Sequence, residues 1–111
     1  MSLHPISDSK VLKSELIDRD VHYTWHFEHE RLPYRENVDK DLLESYLDDP
    51  VDLLDFVYAD DEHEREKYEL LFDKSSKYFL KIVLSMQDES LFIVTAHVIN
   101  KTKKKRSKVL G

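Results

Sequence analysis

Histidine and arginine are the side chains in this sequence best suited to chemistry near neutral pH. His22, His26 and His29 fall at i, i+4 and i+7, with Arg31 and Arg35 four residues apart just beyond them. An imidazole titrates at roughly 6.5 and can give or take a proton, while a guanidinium is permanently charged and offers an anion a planar fork of donors. On one helix the three histidines would share a face, and zinc accepts imidazole and carboxylate ligands, of which the acidic stretch around His63 has several. The same residues read better as a strand up to Phe27, which separates His29 from the other two and speaks against a metal centre. His97 lies on a late strand whose mixed face also carries Thr95, opposite Lys81 and Ser85 of its neighbour, and that face is suited to hold a site. Each reading has a plain rival. Arg31 and Arg35 stand among Glu28, Glu30 and Glu36, which would neutralise them in surface ion pairs. An exposed histidine most often does no chemistry.

Several chemistries are excluded outright. There is no cysteine, so disulfides, thiol nucleophiles and thiolate metal sites are absent. The one glycine is Gly111, so no glycine-rich loop cradles a phosphate, and a P-loop NTPase or a Rossmann dehydrogenase is ruled out. Turns must be made by Asp, Asn and Ser, which tolerate left-handed geometry at some cost.

With 111 residues, 41% apolar and 36% charged, the chain reads as one soluble globular domain with a single core. No apolar run is long enough to cross a bilayer, and Met1-Ser2-Leu3-His4-Pro5 lacks the architecture of a signal peptide. No membrane partner and a cytoplasmic location are therefore expected. The net charge of −6 is uneven. Residues 101–108 hold six of the 17 basic residues, which leaves 11 basic against 23 acidic in the body, a balance of −12. Such a body repels nucleic acid at a distance, whereas the tail is either a tether for phosphate or an acidic partner, or simply a solvated end.

The elements that must position these residues are organised around Lys77 to Asn100. Two β-rich runs, Tyr78 to Met86 and Leu91 to Ile99, flank the polar linker Gln87-Asp88-Glu89-Ser90, a hairpin pattern. Alternation puts Tyr78, Leu80, Ile82, Leu84 and Met86 on one face of the first strand, and Phe92, Val94, Ala96 and Val98 on the corresponding face of the second, both meeting helices. Earlier in the chain, Ser7 to Ile17 predicts a short amphipathic helix capped by Ser7, Asp8 or Ser9. Val21 to Phe27 predicts a short strand with Val21, Tyr23, Trp25 and Phe27 on one side, packed into the core. From Glu28 the composition turns helical, and Pro33 divides it into short turns or breaks it near Leu32. Asp39 caps a helix with an apolar stripe of Leu42, Leu43, Tyr46 and Leu47 that ends before Pro50. Val51 to Tyr58 predicts a strand with Leu54, Phe56 and Tyr58 on one face. An acidic loop over 59–64 and a strand with Tyr68, Leu70 and Phe72 inward complete the pattern. Helices first and strands joined by short turns afterwards predict an α+β domain. Its antiparallel sheet has four strands, five if residues 21–27 join, covered on one face by the Asp39–Asp48 helix. Residues 1–20 are an N-terminal helical extension, 21–100 the domain and 101–111 the basic tail.

The order of an arginine pair four apart, a small turn, a helix ending at proline, and strands closing in Thr-Ala resembles a family of small prokaryotic domains of largely unknown function. These are distant relatives of the RelE and BrnT toxins. The stretch Val38 to Pro50 fits the family's helix and proline, Arg31 and Arg35 keep the arginine spacing, and Ile93-Val94-Thr95-Ala96-His97 is similar to the closing strand. Asn37 stands in place of the turn glycine, with one extra residue between Arg35 and Val38. Phe27 occupies the family's histidine position relative to Arg31, flanked by His26 and His29, and His97 replaces the usual tyrosine.

The resemblance implies a RelE-like fold and a toxin of a toxin–antitoxin system, a metal-independent messenger-RNA endoribonuclease with no cofactor. It assigns His26 or His29 as the base for the 2′-hydroxyl, Arg31 and Arg35 as phosphate clamps and His97 as the acid for the leaving oxygen. Its partners would be RNA and an antitoxin protein. A homodimer would join Asp60-Asp61-Glu62 to Lys103-Lys104-Lys105-Arg106 of a second copy. The alternative is a non-catalytic interaction protein of the same fold, whose sheet edge pairs with a partner.

Overall fold

The computed structural model describes residues 8–60 and 66–101. Helix α1 (Ser9–Asp18) starts at Asp8, whose carboxylate accepts from the Lys10 amide at 2.8 Å. Strand β1 (Asp20–Tyr23) follows, then a helical segment beginning at Trp25 that runs through a π-helical turn (Phe27–Arg31) into a 3₁₀ turn (Leu32–Tyr34). Helix α2 (Lys40–Asp48) and strands β2 (Leu53–Asp60), β3 (Glu66–Asp73), β4 (Tyr78–Gln87) and β5 (Ser90–Asn100) complete an α+β architecture. Among the described residues no helix is long and apolar enough to cross a membrane. The expected acidic loop beyond Asp60, His63 and the basic tail beyond Lys101 lie outside the described residues.

The five strands form one sheet in the order β1-β5-β4-β3-β2. The four later strands pair antiparallel, as short connections dictate. β1 departs from the expected antiparallel sheet. It lies parallel to β5, Asp20 opposite Ser90 and Tyr23 opposite Ile93, because the whole helical region intervenes before the chain returns to the sheet.

One core cluster joins Leu12 and Leu16 of α1, Leu43 and Leu47 of α2, and Phe27 to alternate residues of the sheet: Tyr68, Leu70 and Phe72 of β3, then Leu80, Ile82, Leu84 and Met86 of β4. Asp39 caps α2 as the sequence predicts, its carboxylate accepting from the Leu42 amide at 2.8 Å. Asn37 and Asp88 are the two described non-glycine residues with positive φ, 63° and 53°. They serve as turn residues in place of glycine.

Three expectations about side-chain direction are overturned. In β5 a bulge inserts Val94, since Val83 faces Thr95 while Leu84 faces Ile93. The core side of β5 is consequently Leu91, Ile93, Ala96 and Val98, and the predicted set with Phe92 and Val94 is out of step before the bulge. A second irregularity between Leu53 and Asp55 turns Leu53 toward the core and leaves Leu54 exposed. The strand predicted to reach Phe27 stops at Tyr23. Thr24 still donates its amide to the Ile93 carbonyl at 3.1 Å, but its hydroxyl accepts from the Phe27 amide at 3.3 Å, and this local bond starts a helix instead. Phe27 is thereby fully buried while Trp25 stays 67% exposed, against the expectation of a core position.

Candidate functional site

The five chemistry-bearing residues fall into separate groups. His26 and Arg31 meet each other. The Leu32 amide bonds the Phe27 carbonyl, an i to i+5 bond, and this wide turn sets side chains five apart side by side. Arg31 Nε donates to His26 Nε2 at 3.2 Å, and His26 Nδ1 pairs with the Glu30 carboxylate. With Nε2 accepting, Nδ1 carries the proton and donates to Glu30. Both ring nitrogens are occupied, so His26 has no lone pair free to act as a base. His29 packs its ring against Trp25, centroids 4.9 Å apart, and its Nε2 lies 3.8 Å from Glu28. His22 belongs to β1 and stacks on Phe92 of β5 at 5.1 Å, so the three early histidines do not share a helix face. Among the described residues no three histidine or carboxylate side chains are grouped to hold a metal ion.

Arg35 and His97 form the second group. β1 covers β5 only as far as Ile93. Beyond that point a cavity of about 380 Å³ opens between the Tyr34–Val38 segment and the strands, lined also by Tyr78, His97 and Val98. The segment is pinned at both ends. The Arg35 amide donates to the Leu32 carbonyl at 3.1 Å, Asn37 turns the chain, and Val38 is buried in the core immediately before the Asp39 cap. Arg35 Nε is shielded from solvent and has no hydrogen-bond partner, and the guanidinium enters no ion pair among the described residues. A shielded donor without an acceptor is costly and rare, and an anion in the cavity would satisfy it.

His97 is half-buried, and burial is the main cause that holds its pKa below the ordinary imidazole value. The nearby cations of Arg35 and then Lys81 act in the same direction. At neutral pH the ring is therefore uncharged and retains a lone pair. Lys81, directly across the ladder from His97, is engaged with Glu69 at 3.0 Å. Arg35 is thus the cation left uncommitted beside His97. Glu36 also lines the cavity and is exposed.

A further polar network braces the helical segment against α2. The Tyr23 hydroxyl donates to Glu44 at 2.5 Å, Lys40 lies over the Tyr23 ring at 4.9 Å, and Lys40 also pairs with Glu28. Burial, and next the Glu44 carboxylate, raise the Tyr23 pKa, and the Lys40 partner lowers that of Glu28. This network fixes where the residues after β1 begin. It was not anticipated from the sequence, where Tyr23 reads only as an apolar position. Tyr34 at the cavity mouth is likewise not anticipated, and Tyr78, expected on the inward face of its strand, instead lies 39% exposed against the same cavity.

No family model, no curated protein and no solved structure matches the chain.

Proposed function

We propose that the protein is a RelE/BrnT-like endoribonuclease of the toxin type, with the Arg35–His97 cavity as its phosphodiester site. The observation that carries this reading is the meeting of two residues distant in sequence in one cavity, an uncommitted guanidinium beside an imidazole held neutral. Those are the minimum requirements for metal-independent cleavage of RNA: a base for the 2′-hydroxyl and a fixed positive charge for the phosphorane.

The roles differ from those the family resemblance assigns. His97, depressed in pKa, is the base and not the acid. It takes the proton of the 2′-hydroxyl, the 2′-oxygen attacks the adjacent phosphorus, and the bond to the 5′-oxygen breaks. Arg35 donates to the non-bridging oxygens as their charge develops, and the leaving 5′-oxygen takes its proton from water at the open mouth of the cavity. The products are a 2′,3′-cyclic phosphate and a 5′-hydroxyl. Arg31 donates to His26, which in turn donates to Glu30, and this chain of bonds shapes the turn that delivers Arg35.

Incubating purified protein with a single-stranded oligoribonucleotide, and with the same oligonucleotide fully 2′-deoxy, tests this. Cleavage of the ribo form alone, ending in a cyclic phosphate, is expected, together with slowed growth of a bacterial host on expression. If neither strand is cut and growth is unaffected, the nuclease reading fails.

A further inference from the structure

The cavity that holds Arg35 and His97 has a second feature, which the cleavage chemistry leaves unused. Tyr34, in the 3₁₀ turn, and Tyr78, at the start of β4, line it from two different elements. Tyr34 is 82% exposed and Tyr78 39% exposed. Neither ring packs on another aromatic, and neither hydroxyl has a hydrogen-bond partner among the described residues. Elsewhere in the described chain the tyrosines are engaged: Tyr23 with Glu44 and Phe27, Tyr46 with Phe72, and Tyr58 with Tyr68. The two free rings therefore line the same cavity as the unpartnered Arg35 Nε.

Every nucleobase presents a π face, and stacking on an aromatic side chain is strong and indifferent to sequence. Such stacking needs bases that are not already paired. We propose that Tyr34 and Tyr78 are a base-stacking platform flanking the Arg35–His97 anion site, so that the protein takes single-stranded RNA and discriminates against duplex. The inference rests on the reading of that cavity as a phosphodiester site. The Arg35 guanidinium holds the backbone, the two rings hold bases, and the 3₁₀ turn and β4 set the spacing between them. An acidic body gives little long-range attraction, so a larger share of affinity must come from these short-range contacts than in a basic RNA-binding protein. Glu36 on the rim restricts where a second phosphate can lie.

The test uses the whole chain and a single-stranded 2′-fluoro oligonucleotide carrying 2-aminopurine, which has no 2′-hydroxyl and is not cleaved. Binding is read by anisotropy and stacking by quenching of the 2-aminopurine. Tyr34→Ala and Tyr78→Ala should each weaken binding by about tenfold and reduce the quenching. Tyr34→Phe and Tyr78→Phe should bind as the wild type does, and the matching duplex should bind poorly. Because Tyr34 is so exposed, its alanine variant keeps the wild-type melting temperature. Alanine variants that bind as tightly as wild type, or binding without quenching, would overturn the platform. Cleavage of the ribo form is scored separately. A wild-type protein that binds and quenches but cuts nothing removes the nuclease reading and upholds the platform, while one that binds no strand removes both.

Discussion

Replacing Arg35 by alanine separates a functional cation from a structural one. In most proteins a half-buried arginine is tied into ion pairs, and its removal costs stability. Here the guanidinium enters no ion pair among the described residues, and its Nε is a shielded donor without an acceptor. Its removal therefore deletes a group that contributes little to the fold, and the change in folding free energy should stay within about 0.5 kcal/mol. The effect on catalysis should be of a different size. Losing one preorganised donor to a developing oxyanion typically costs about 10²-fold to 10³-fold in rate. Lys81, the other cation acting on His97, is held by Glu69 at 3.0 Å and cannot take over the role. Arg35→Ala should thus cut oligoribonucleotide at least about 10²-fold more slowly while melting at the wild-type temperature. Arg35→Lys, which keeps the charge but loses the fork, should recover only part of the rate. Initial rates on a fluorogenic oligoribonucleotide and a thermal melt of the same samples decide the matter. An alanine variant as fast as wild type refutes the phosphate role. A slow variant whose melting temperature also drops by several degrees refutes the claim that Arg35 is structurally idle.

Three other substitutions probe the scaffold. Phe27→Ala empties a fully buried ring position beneath the π-helical turn and should destabilise the fold by about 3–5 kcal/mol, read from urea midpoints at constant m-value. Tyr23→Phe removes the hydroxyl bond to Glu44 and should cost about 1 kcal/mol, the usual charge-assisted value reduced for partial exposure. Because burial and Glu44 raise the Tyr23 pKa, that contribution is complete below its ordinary value of 10.0 and is lost as pH rises beyond it, so the variant should lose less stability in strong alkali than wild type. For His97 the sign is opposite. A depressed folded pKa means that the unfolded chain binds more protons below the ordinary 6.5, so stability is lost as pH drops through that range. His97→Gln should flatten the fall, measured by denaturant midpoints at about pH 5 and about pH 7.5.

The parts of this fold that were readable from the sequence are those governed by a regular period. The inward set of β4 from Leu80 to Met86, that of β3 and the Asp39-capped helix are each marked by alternation or a 3.6-residue stripe, and burial followed. What escaped was decided by single residues. One extra residue at Val94 leaves composition unchanged yet shifts the alternation of β5, and nothing in a run of β-branched residues marks where the ladder slips. Trp25 reads as the next inward position of a strand, but the Thr24 hydroxyl bond to Phe27 converts the backbone to helix and turns the indole to solvent. The site was half legible. Arg35 and His97 were both singled out, but their encounter depends on where β1 stops along β5 and on the left-handed turn at Asn37, both of them tertiary facts. The other candidate pairing, His26 with Arg31, follows from a five-residue turn that no helical template anticipates.

The proposed site requires that Arg35 and His97 share one electrostatic environment. An NMR titration of the His97 imidazole in wild type and in Arg35→Ala measures that directly. The inflection should lie below the ordinary 6.5 in wild type and move upward when the neighbouring cation is removed. A wild-type inflection at or above 6.5, or one that stays in place in the variant, would contradict it.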